Sequence, residues 1–239
     1  MIDFRVLPND TAVIAHSPLL RAAQLTLQYT QENGSIPLTP SKAFKRVFVH
    51  WAAEHFEWPG MGYDALFSVN KVLNEYDFPP LELLHFLLIE LKLGRHYKVQ
   101  FKITKLGAAL LANPAQLLNT LVPFYILNID HSAYSRSGEQ ALGTWDVWLN
   151  VLNVEAENAA TELELYKVFY GPLGDEPMAW RATSAFYSCV LRPLCWAGVL
   201  LEHRTQGSKR SDAVYLKTPL WPAWLQLDTD NMVQSAQRH

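Results

Sequence analysis

The chain has 239 residues, of which 49% are hydrophobic and 18% are charged, and its formal net charge is −3. This apolar content excludes a disordered chain and is typical of one large folded domain or of two domains of roughly 100–130 residues each. The net charge excludes a globally basic, histone-like binder of nucleic acid, but it leaves room for a local basic surface.

The compartment is predicted from the lack of two kinds of segment and from the cysteine count. The longest apolar runs, such as residues 86–89, are far shorter than the roughly 20 residues that a membrane span needs. Residues 1–10 carry three charges and lack the apolar segment of a secretory signal. Two cysteines are too few to hold a chain of this size together by disulfides. We therefore expect a cytoplasmic protein that does not contact a membrane.

Helices dominate the first half of the chain. Ser17 is a suitable N-cap and Pro18 a suitable first residue for a helix over residues 17–32. A short strand at residues 36–38 precedes a second helix of about 16 residues that starts at Thr39 and Pro40. A shorter helix is predicted over residues 64–75. The next helix, over residues 81–92, has apolar residues around almost its whole circumference, which indicates that it is buried.

A single strand is predicted after the buried helix, with Gly94 as the cap between them. Tyr97, Val99, Phe101 and Ile103 alternate with polar residues, which is the pattern of a strand with one buried face. The few residues between Gly94 and Tyr97 leave little room for a hairpin. Short helices are predicted over residues 108–111 and 115–121.

The second half begins with a loop over residues 131–143, which are rich in Ser, Gly and Tyr. Helices are predicted over residues 144–153, 161–170 and 178–197, and Pro193 predicts a kink or break inside the last of them. Gly198 ends that helix. Two short strands, residues 199–204 and 213–217, flank a polar loop, and a final short helix covers residues 219–227. The tail after residue 227 is expected to fray.

Each half ends in the same order: an apolar helix, a strand region and a small helix. The segment FKITKLGAALL, residues 101–111, resembles the second wing strand and the Thr-x-x-Gly helix start of the winged helix-turn-helix superfamily. The Ile-Pro-Leu-Thr segment at residues 36–39 is more loosely similar to winged-helix regions of uncharacterised bacterial, plasmid-encoded proteins.

The resemblance implies a mainly α protein with small β wings, built from two winged helix-turn-helix modules. The first module covers residues 1–122, a linker covers residues 123–143, and the second module with its frayed tail covers residues 144–239. The first module departs from the family pattern, because it has an insertion at residues 57–78 and a wing reduced to one strand or a stub.

Basic residues are concentrated in one segment and acidic residues in another. Residues 92–105 contain no acid and five basic residues: Lys92, Arg95, Lys98, Lys102 and Lys105. Such a wing can contact phosphates and release their counterions. The alternative is a solvated strand whose lysines protect an edge from aggregation. Residues 139–166 contain six acids and no Lys or Arg, which is typical of a solvated helix face.

The helix over residues 181–192 is the candidate reader of bases, because a recognition helix must present polar side chains to the groove. The buried helix over residues 81–92 presents mostly leucine and does not meet that requirement. The candidate DNA contacts are Arg181, Thr183, Ser184, Tyr187, Ser188 and Arg192 on the helix, Arg204, Lys209 and Arg210 on its wing, and Lys98 and Lys102 on the first wing. The alternative is a solvent-exposed helix with a flexible hairpin tip.

No metal site is predicted. His50 and His55 are five residues apart, which puts them on different faces of a helix, and their segment HWAAEH is not the HExxH zinc signature. Cys189 and Cys195 are six residues apart and are interpreted as core cysteines. His85 lies in the most apolar helix and is interpreted as a hydrogen-bonded core histidine.

No catalytic site or cofactor is predicted either. Asp130, His131 and Ser132 are the residue types of a catalytic triad, but adjacent residues cannot place a nucleophile, a base and an orienting acid in line. Asp130 and Ser132 are therefore expected to cap a helix or to form a turn. The 11 glycines are scattered and form no phosphate-binding loop.

Two functions remain open. The first is a DNA-binding regulator without catalytic activity, which the basic clusters favour. The second is a protein-interaction scaffold, with another protein or a second copy of the chain as partner and no direct DNA binding. The negative net charge and the leucine-rich helix favour this second function. An enzyme is the third and least supported class.

Overall fold

The computed structural model of the chain describes residues 2–134, 138–174, 177–205 and 210–236. The chain divides into two compact units. One unit is Pro8–Pro123, and the other combines Met1–Leu7 with Phe124–His239.

The helices and strands are numbered in chain order. The α-helices are α1 (Pro18–Asn33), α2 (Arg46–His55), α3 (Tyr63–Val69), α4 (Pro79–Glu90), α5 (Lys105–Leu111), α6 (Pro114–Asn128), α7 (Trp145–Glu155), α8 (Glu162–Tyr170), α9 (Trp180–Phe186), α10 (Arg192–Ala197), α11 (Leu220–Trp224) and α12 (Asp230–Ala236). The strands are β1 (Asp3–Phe4), β2 (Ile36–Pro37), β3 (Gly94–Tyr97), β4 (Gln100–Ile103), β5 (Ala160–Thr161), β6 (Leu200–His203), β7 (Val214–Lys217) and β8 (Leu225–Gln226). The prediction of a mainly α protein with small β elements is confirmed.

In the unit Pro8–Pro123, helix α1 begins where its sequence predicts. The Ser17 hydroxyl accepts a hydrogen bond from the Leu20 amide at 3.1 Å, which satisfies one of the free donors at the helix start. Leu19, Leu20 and Leu27 are fully buried on one face of this helix. The N-cap signal and the apolar spacing therefore both correspond to the structure.

The second helix starts seven residues later than predicted. Helix α2 begins at Arg46, whereas Thr39 lies in a turn in which Leu38 pairs with Phe44. The Phe44 amide donates to the Glu75 carboxylate, and the Phe44 side chain is buried. The prediction of a helix start at Thr39 is therefore wrong. The turn is favoured because it buries the Phe44 side chain and lets the Phe44 amide form its hydrogen bond with Glu75.

Helices α3 and α4 differ from the prediction in length. Helix α3 ends at Val69, and a short 3₁₀ helix, Glu75–Asp77, follows it. The Asn74 and Asp77 side chains cap this 3₁₀ helix reciprocally. Helix α4 starts at Pro79, two residues earlier than predicted, and it is buried on most sides as expected.

The segment predicted as one strand is a hairpin. Strands β3 and β4 pair antiparallel, with His96 opposite Phe101, and β2 pairs with the other edge of β4. Lys98, at φ 55°, makes the turn between them. Phe101 is buried, but Tyr97 and Val99 are exposed, so these three side chains do not share a buried face. The prediction of a single strand is wrong, because alternation alone does not reveal a turn that reverses the chain.

Gly94 is the first residue of β3 and does not cap α4. The left-handed residue at that point is Lys92, at φ 57°. Position 94 has no room for a side chain, because the Phe101 ring occupies that space. A Cβ on Gly94 would lie 2.0 Å from the Phe101 Cζ atom. The glycine therefore allows an aromatic ring to pack directly on the neighbouring strand.

In the unit that contains Phe124–His239, the predicted helices are confirmed. The Thr161 hydroxyl and the Glu164 carboxylate cap the start of α8 reciprocally. Helices α9 and α10 are joined by a π-helical segment, Tyr187–Leu191, just before Pro193. Proline has no amide hydrogen and its ring crowds the preceding turn, so the wider π turn is the break that Pro193 predicts.

Three features of this unit differ from the sequence-based expectation. Helix α6 continues to Asn128, beyond the expected end at residue 121. Strand β8 pairs with β1, so residues 225–226 are not helical. Residues 230–236 form α12, where a frayed tail was expected. The Thr229 amide donates to the Asn150 side chain and the Asn153 amide group donates to Asp230, and these bonds tie the start of α12 to α7.

Both units repeat one order of elements. A helix, a short strand and two further helices precede a two-stranded hairpin, and in each sheet the order is first, third, second strand: β2-β4-β3 and β5-β7-β6. In the unit Pro8–Pro123, α3 is inserted between the second and third helices of this order.

Within the described residues, no single helix has both the length and the apolarity to cross a membrane. The pair α5 and α6 is long and apolar enough only when the two helices are counted together, and the chain bends by 116° between them.

Candidate nucleic-acid interface

The hairpin of β3 and β4 carries cations on its outer face. Cross-strand pairing places Arg95 opposite Lys102, next to the exposed ring of Tyr97. The Arg95 guanidinium carbon lies 5.8 Å from the Tyr97 ring centroid, and the ammonium nitrogens of Lys98 and Lys102 each lie 5.5 Å from it. We call Arg95, Tyr97, Lys98 and Lys102 the basic hairpin face.

Carboxylates do not neutralise the basic hairpin face. In the part of the chain that the structure describes, none of its three cations forms a salt bridge. Each cation gains roughly 0.5–1 kcal/mol from the exposed aromatic ring, which partly offsets the repulsion among the three charges. Three like charges around one ring create a local positive field that attracts a polyanion.

Helix α4, which precedes the hairpin, presents acids to the solvent. Its exposed residues Glu82, Phe86 and Glu90 recur every four positions and so form one stripe. Carboxylates repel the phosphates that line a DNA groove, and base-reading helices mainly present donors. The stripe is therefore a second reason, besides the leucine content, to expect that α4 does not read bases.

Further cations lie just before α2. Lys42 and Lys45 are exposed in the turn that leads into this helix, and the Arg46 guanidinium donates to the Asn74 side chain at 3.0 Å. Lys42 is close enough to His96 to lower the pKa of that imidazole, although burial is the larger cause. Lys42 therefore extends the positive field toward the inner face of the hairpin.

The inner face of the hairpin carries a chain of hydrogen-bonded side chains. The Glu75 carboxylate lies 2.6 Å from Nδ1 of His85, and Nε2 of His85 lies 2.8 Å from Nε2 of His96. Glu75 and His85 are buried, whereas His96 is partly exposed. The prediction that His85 is a hydrogen-bonded core histidine is confirmed.

Three of the four arginines predicted as DNA contacts in the other unit contact other side chains. Arg181 lies 3.5 Å from the Glu139 carboxylate, and Arg204 lies 3.1 Å from that of Glu202. The Arg192 guanidinium lies over the Trp196 ring, 5.4 Å from its centroid. These three charges are therefore partly satisfied within the protein, unlike those of the basic hairpin face.

The polar candidates on the same helical run differ in exposure. Ser188 is only 6% exposed, so its hydroxyl lies inside the unit. Thr183 donates to the Trp180 carbonyl at 3.0 Å, and the Tyr187 hydroxyl donates to Glu202 at 3.4 Å. Ser184 is partly exposed. Lys209 and the side chain of Arg210 lie outside the described residues.

Asp130 caps a short 3₁₀ helix, His131–Tyr134, which fits the prediction that Asp130 and Ser132 act in capping or turn formation. The Asp130 carboxylate accepts from both the amide and the hydroxyl of Ser132, at 3.0 and 2.6 Å. The His131 ring nitrogen Nε2 lies 3.3 Å from the Ile126 carbonyl. Burial lowers the pKa of His131 to about 4, and the nearby Arg192 contributes to the shift.

Acid is expected to destabilise the protein through His131. The pKa of His131 is about 4 in the folded protein and near the ordinary value of 6.5 in the unfolded chain. Between these pH values the unfolded chain binds more protons than the folded protein, so the stability present above about pH 6.5 is lost as the pH falls toward 4. Between about pH 7 and 4.5 we expect the wild type to lose about 2 kcal/mol more than His131→Gln, which cannot titrate. Urea denaturation at both pH values measures this difference. Equal losses in the two proteins would contradict a buried neutral imidazole.

The described residues contain no group of three or more His, Cys, Asp or Glu side chains that could hold a metal ion. Cys189 is buried and Cys195 is partly buried, and both are free thiols. Burial raises the pKa of both thiols. They fit the interpretation as core cysteines.

Sequence reasoning selects Lys98 and Lys102 and places Arg95 in the same basic segment, but it does not select their neighbours His96 and Tyr97. The signal was present in the segment RHYKVQFK, residues 95–102, in which basic residues flank one tyrosine. A hairpin with its turn at Lys98 would have placed Arg95, Tyr97 and Lys102 on one face. The single-strand prediction instead assigned Tyr97 to the core.

Both halves of the chain match known family models. Residues 15–116 match the Y4jL N-terminal domain, and residues 135–219 match the y4jL C-terminal domain. The uncharacterized protein y4jL of Sinorhizobium fredii (strain NBRC 101917 / NGR234) is 38% identical over 165 residues, which cover 69% of this chain and 75% of that protein. No solved structure matches the chain. The identity and the coverage together establish that the chain belongs to the y4jL family.

Proposed function

We propose that the protein is a non-enzymatic binder of duplex DNA built from two winged helix-turn-helix modules. The shared order of elements supports the modules, because three helices, a short strand and a terminal hairpin with the sheet order first, third, second are the parts of a winged helix. In this proposal the hairpins β3–β4 and β6–β7 are the wings. Fold alone does not decide function, so the proposal depends on the surface of the first wing.

The observation that carries the proposal is the basic hairpin face. Arg95, Lys98 and Lys102 surround one exposed tyrosine and form no salt bridge with any carboxylate in the described ranges. These cations are already close together and no ion pair has to be broken, so contact with phosphates costs little free energy. The release of counterions from the phosphates then favours binding. The Tyr97 ring adds a flat apolar surface that can pack against sugars at the groove edge.

The proposed docking uses the wing more than the helix. The acidic stripe of α4 faces solvent, and a helix that presents Glu82 and Glu90 is unsuited to a major groove. Phosphate contacts fix the position of a protein on the duplex but carry no sequence information directly. We therefore expect the first module to bind DNA with little dependence on sequence.

The second module is the proposed source of sequence preference. Thr183 and Ser184 remain accessible on α9, whereas Ser188 is buried and is left out of the proposed contacts. Arg181 and Arg204 each lie in a partly exposed ion pair, and such pairs contribute only about 0–1 kcal/mol. Exchanging these carboxylates for phosphates therefore costs little.

The test is duplex binding measured across salt concentrations. The double variant Lys98→Asn, Lys102→Gln removes two charges, and asparagine tolerates the left-handed backbone at position 98. We expect weaker binding to every duplex and a slope of log affinity against log salt that is shallower by about 2, close to one unit per lost phosphate contact.

The matched control is Lys71→Gln, which removes an exposed cation of the same unit outside the hairpin. It should leave both affinity and slope unchanged. An unaltered duplex affinity in the double variant, with the fold intact by circular dichroism, would remove the first wing from the interface and refute the proposal.

One observation favours the alternative, a protein-interaction scaffold without direct DNA binding. Trp180 is 55% exposed and lines a cavity of about 320 Å³ with Leu163 and Leu173. An exposed tryptophan beside an apolar cavity is typical of a protein interface. A second copy of the chain is the simplest partner. Sedimentation of the wild type and of Trp180→Ala tests this function: a dimer that Trp180→Ala dissociates supports it.

A cytoplasmic location and a bacterial source are parts of the main proposal. Free thiols at Cys189 and Cys195 suit a reducing compartment. The similar protein y4jL comes from the bacterium Sinorhizobium fredii. Bacterial DNA is accessible in the cytoplasm, where a DNA-binding regulator would act.

A further inference from the structure

Three side chains from different elements form one continuous hydrogen-bonded chain behind the basic hairpin face. Glu75 lies in the 3₁₀ helix before α4, His85 lies in α4, and His96 lies in β3. The Glu75 carboxylate is 2.6 Å from Nδ1 of His85, and the two Nε2 atoms are 2.8 Å apart. The other Glu75 oxygen accepts from the Phe44 amide. Both carboxylate oxygens are therefore occupied, and Glu75 is 4% exposed.

The number of protons that this chain can hold follows from its geometry. The buried carboxylate accepts a hydrogen bond from Nδ1–H of His85, and the Nε2 to Nε2 contact holds one proton between the two rings. With both imidazoles neutral, His96 donates to His85. One additional proton can be held on either ring without breaking the contact. The two rings then hold three protons on nitrogen, one more than in the neutral pair. A fourth proton would place two N–H groups against each other at 2.8 Å, so the pair of imidazoles carries at most one positive charge.

We propose that Glu75, His85 and His96 form a shared-proton relay that makes duplex binding depend on pH. This inference rests on the proposed DNA-binding function and adds a mode of regulation to the same wing. When the relay takes up its one additional proton, a positive charge appears on the inner side of the hairpin, next to the basic hairpin face. Phosphates near the hairpin stabilise that charge, so binding and protonation favour each other.

The charged groups around His96 come from each element packed against it. Lys42 approaches His96 from the turn before α2, whereas the neighbouring pair Arg95 and Lys102 lies on the outer face of the hairpin. Glu75 is the acid within the relay. Burial raises the pKa of Glu82 on α4, and the nearby Glu75 raises it further.

These surroundings set the sign of the pH dependence. Burial, then His85 and Lys42, lower the pKa of His96 in the free protein, whereas Glu75 acts in the opposite direction. Bound phosphates would act in the same direction as Glu75 and raise the pKa of His96 toward the ordinary value. Affinity for duplex DNA should therefore rise as the pH falls through the range between the bound and free pKa values, which lies around and below pH 6.5.

The first measurement is duplex affinity at about pH 8 and about pH 5.5, at constant ionic strength, with a mixed-sequence duplex as the probe. For the wild type we expect tighter binding at the lower pH, by up to about tenfold for each unit of pKa difference between the bound and free protein. His96→Gln should lose most of this gain. Its side-chain amide can still donate to Nε2 of His85, so the hairpin contact is preserved.

His55→Gln is the matched control, because His55 lies at the end of α2, with its Nδ1 atom 2.7 Å from the Trp51 carbonyl, and is no part of the relay. It should retain the pH dependence of the wild type. If the wild type binds duplex equally at both pH values, or if His96→Gln keeps the full gain, the inference is refuted while the proposed function stands.

A second measurement does not depend on DNA. Nitrogen-15 NMR of the imidazole rings in the free protein should show Nδ1 of His85 protonated throughout, with the two Nε2 signals changing together. In His85→Gln, the His96 signals should titrate at a different pH. Unchanged titration of His96 in that variant would refute the relay. If the wild type binds no duplex at either pH, the proposed function and the pH-dependent binding both fail, and the NMR result alone decides whether the relay exists.

Discussion

Replacing Phe101 with Ala is expected to lower the free energy of unfolding by about 3–5 kcal/mol. The ring is fully buried and packs edge-on against Phe44 and His85, with centroid distances of 5.3 and 5.5 Å. Its removal leaves a cavity between β4 and α4 that rigid backbone on both sides cannot close. Urea denaturation of the wild type and the variant measures the loss.

Phe86→Ala is the matched control, since Phe86 lies on the adjacent helix α4 but is 45% exposed. Its loss should stay below about 1 kcal/mol, in the range of surface substitutions. A loss that small for Phe101→Ala would show that β4 does not contribute to the core. It would also remove the support on which the basic hairpin face is built.

Gly94 provides a second check on the same contact. Gly94→Ala places a methyl group in the space that the Phe101 ring occupies, so in the wild type it should be strongly destabilising. In the Phe101→Ala background the ring is absent, and the same change should cost much less. This non-additivity in a double-mutant cycle identifies the ring-on-glycine contact as the cause.

Replacing Gly107 with Ala is expected to destabilise the protein by about 3 kcal/mol. Gly107 lies in the first turn of α5, where its amide donates to the hydroxyl of Thr104 at 3.0 Å. A Cβ on Gly107 would lie 2.1 Å from the Leu93 carbonyl oxygen, which is backbone and cannot rotate away. The Thr-x-x-Gly segment therefore joins a helix cap to a close backbone contact. Thermal or urea unfolding measures the effect.

The matched control for this prediction is Gly62→Ala. Gly62 precedes α3 with an ordinary φ of −72°, and a Cβ there would meet no atom within 4 Å. Because Gly62 is the N-cap of α3 and alanine caps less well than glycine, the free energy of unfolding should fall, but by less than about 1 kcal/mol. If both alanine variants lose a similar amount of unfolding free energy, the close contact with Leu93 is not the reason for glycine at position 107.

Several elements were predictable because their signals act over a few residues. The Ser17 cap, the helix start at Thr161 and the break at Pro193 all appear where the sequence places them. A side-chain cap or a proline ring acts on the backbone within one turn, so no distant contact is needed to interpret it.

The first hairpin was not predictable in the same way. Its turn residue Lys98 has a left-handed backbone without being Gly, Asn or Asp, so the usual turn signal is missing. The alternation from Tyr97 to Ile103 fits one strand equally well. Pairing of β4 with both β2 and β3 decides between the two structures, and the pairing with β2 joins residues more than sixty positions apart.

For the candidate site, the sequence by itself determined that residues 92–105 are basic and contain no acid, and hence that this segment is a candidate phosphate contact. Only the tertiary structure decided which charges are neutralised. Glu139 reaches Arg181 and Glu75 reaches His85 through the fold, whereas the cations around Tyr97 meet no carboxylate among the described residues. Charge sign is a property of each residue, but ion pairing depends on distance in space, which the packing of helices and strands sets.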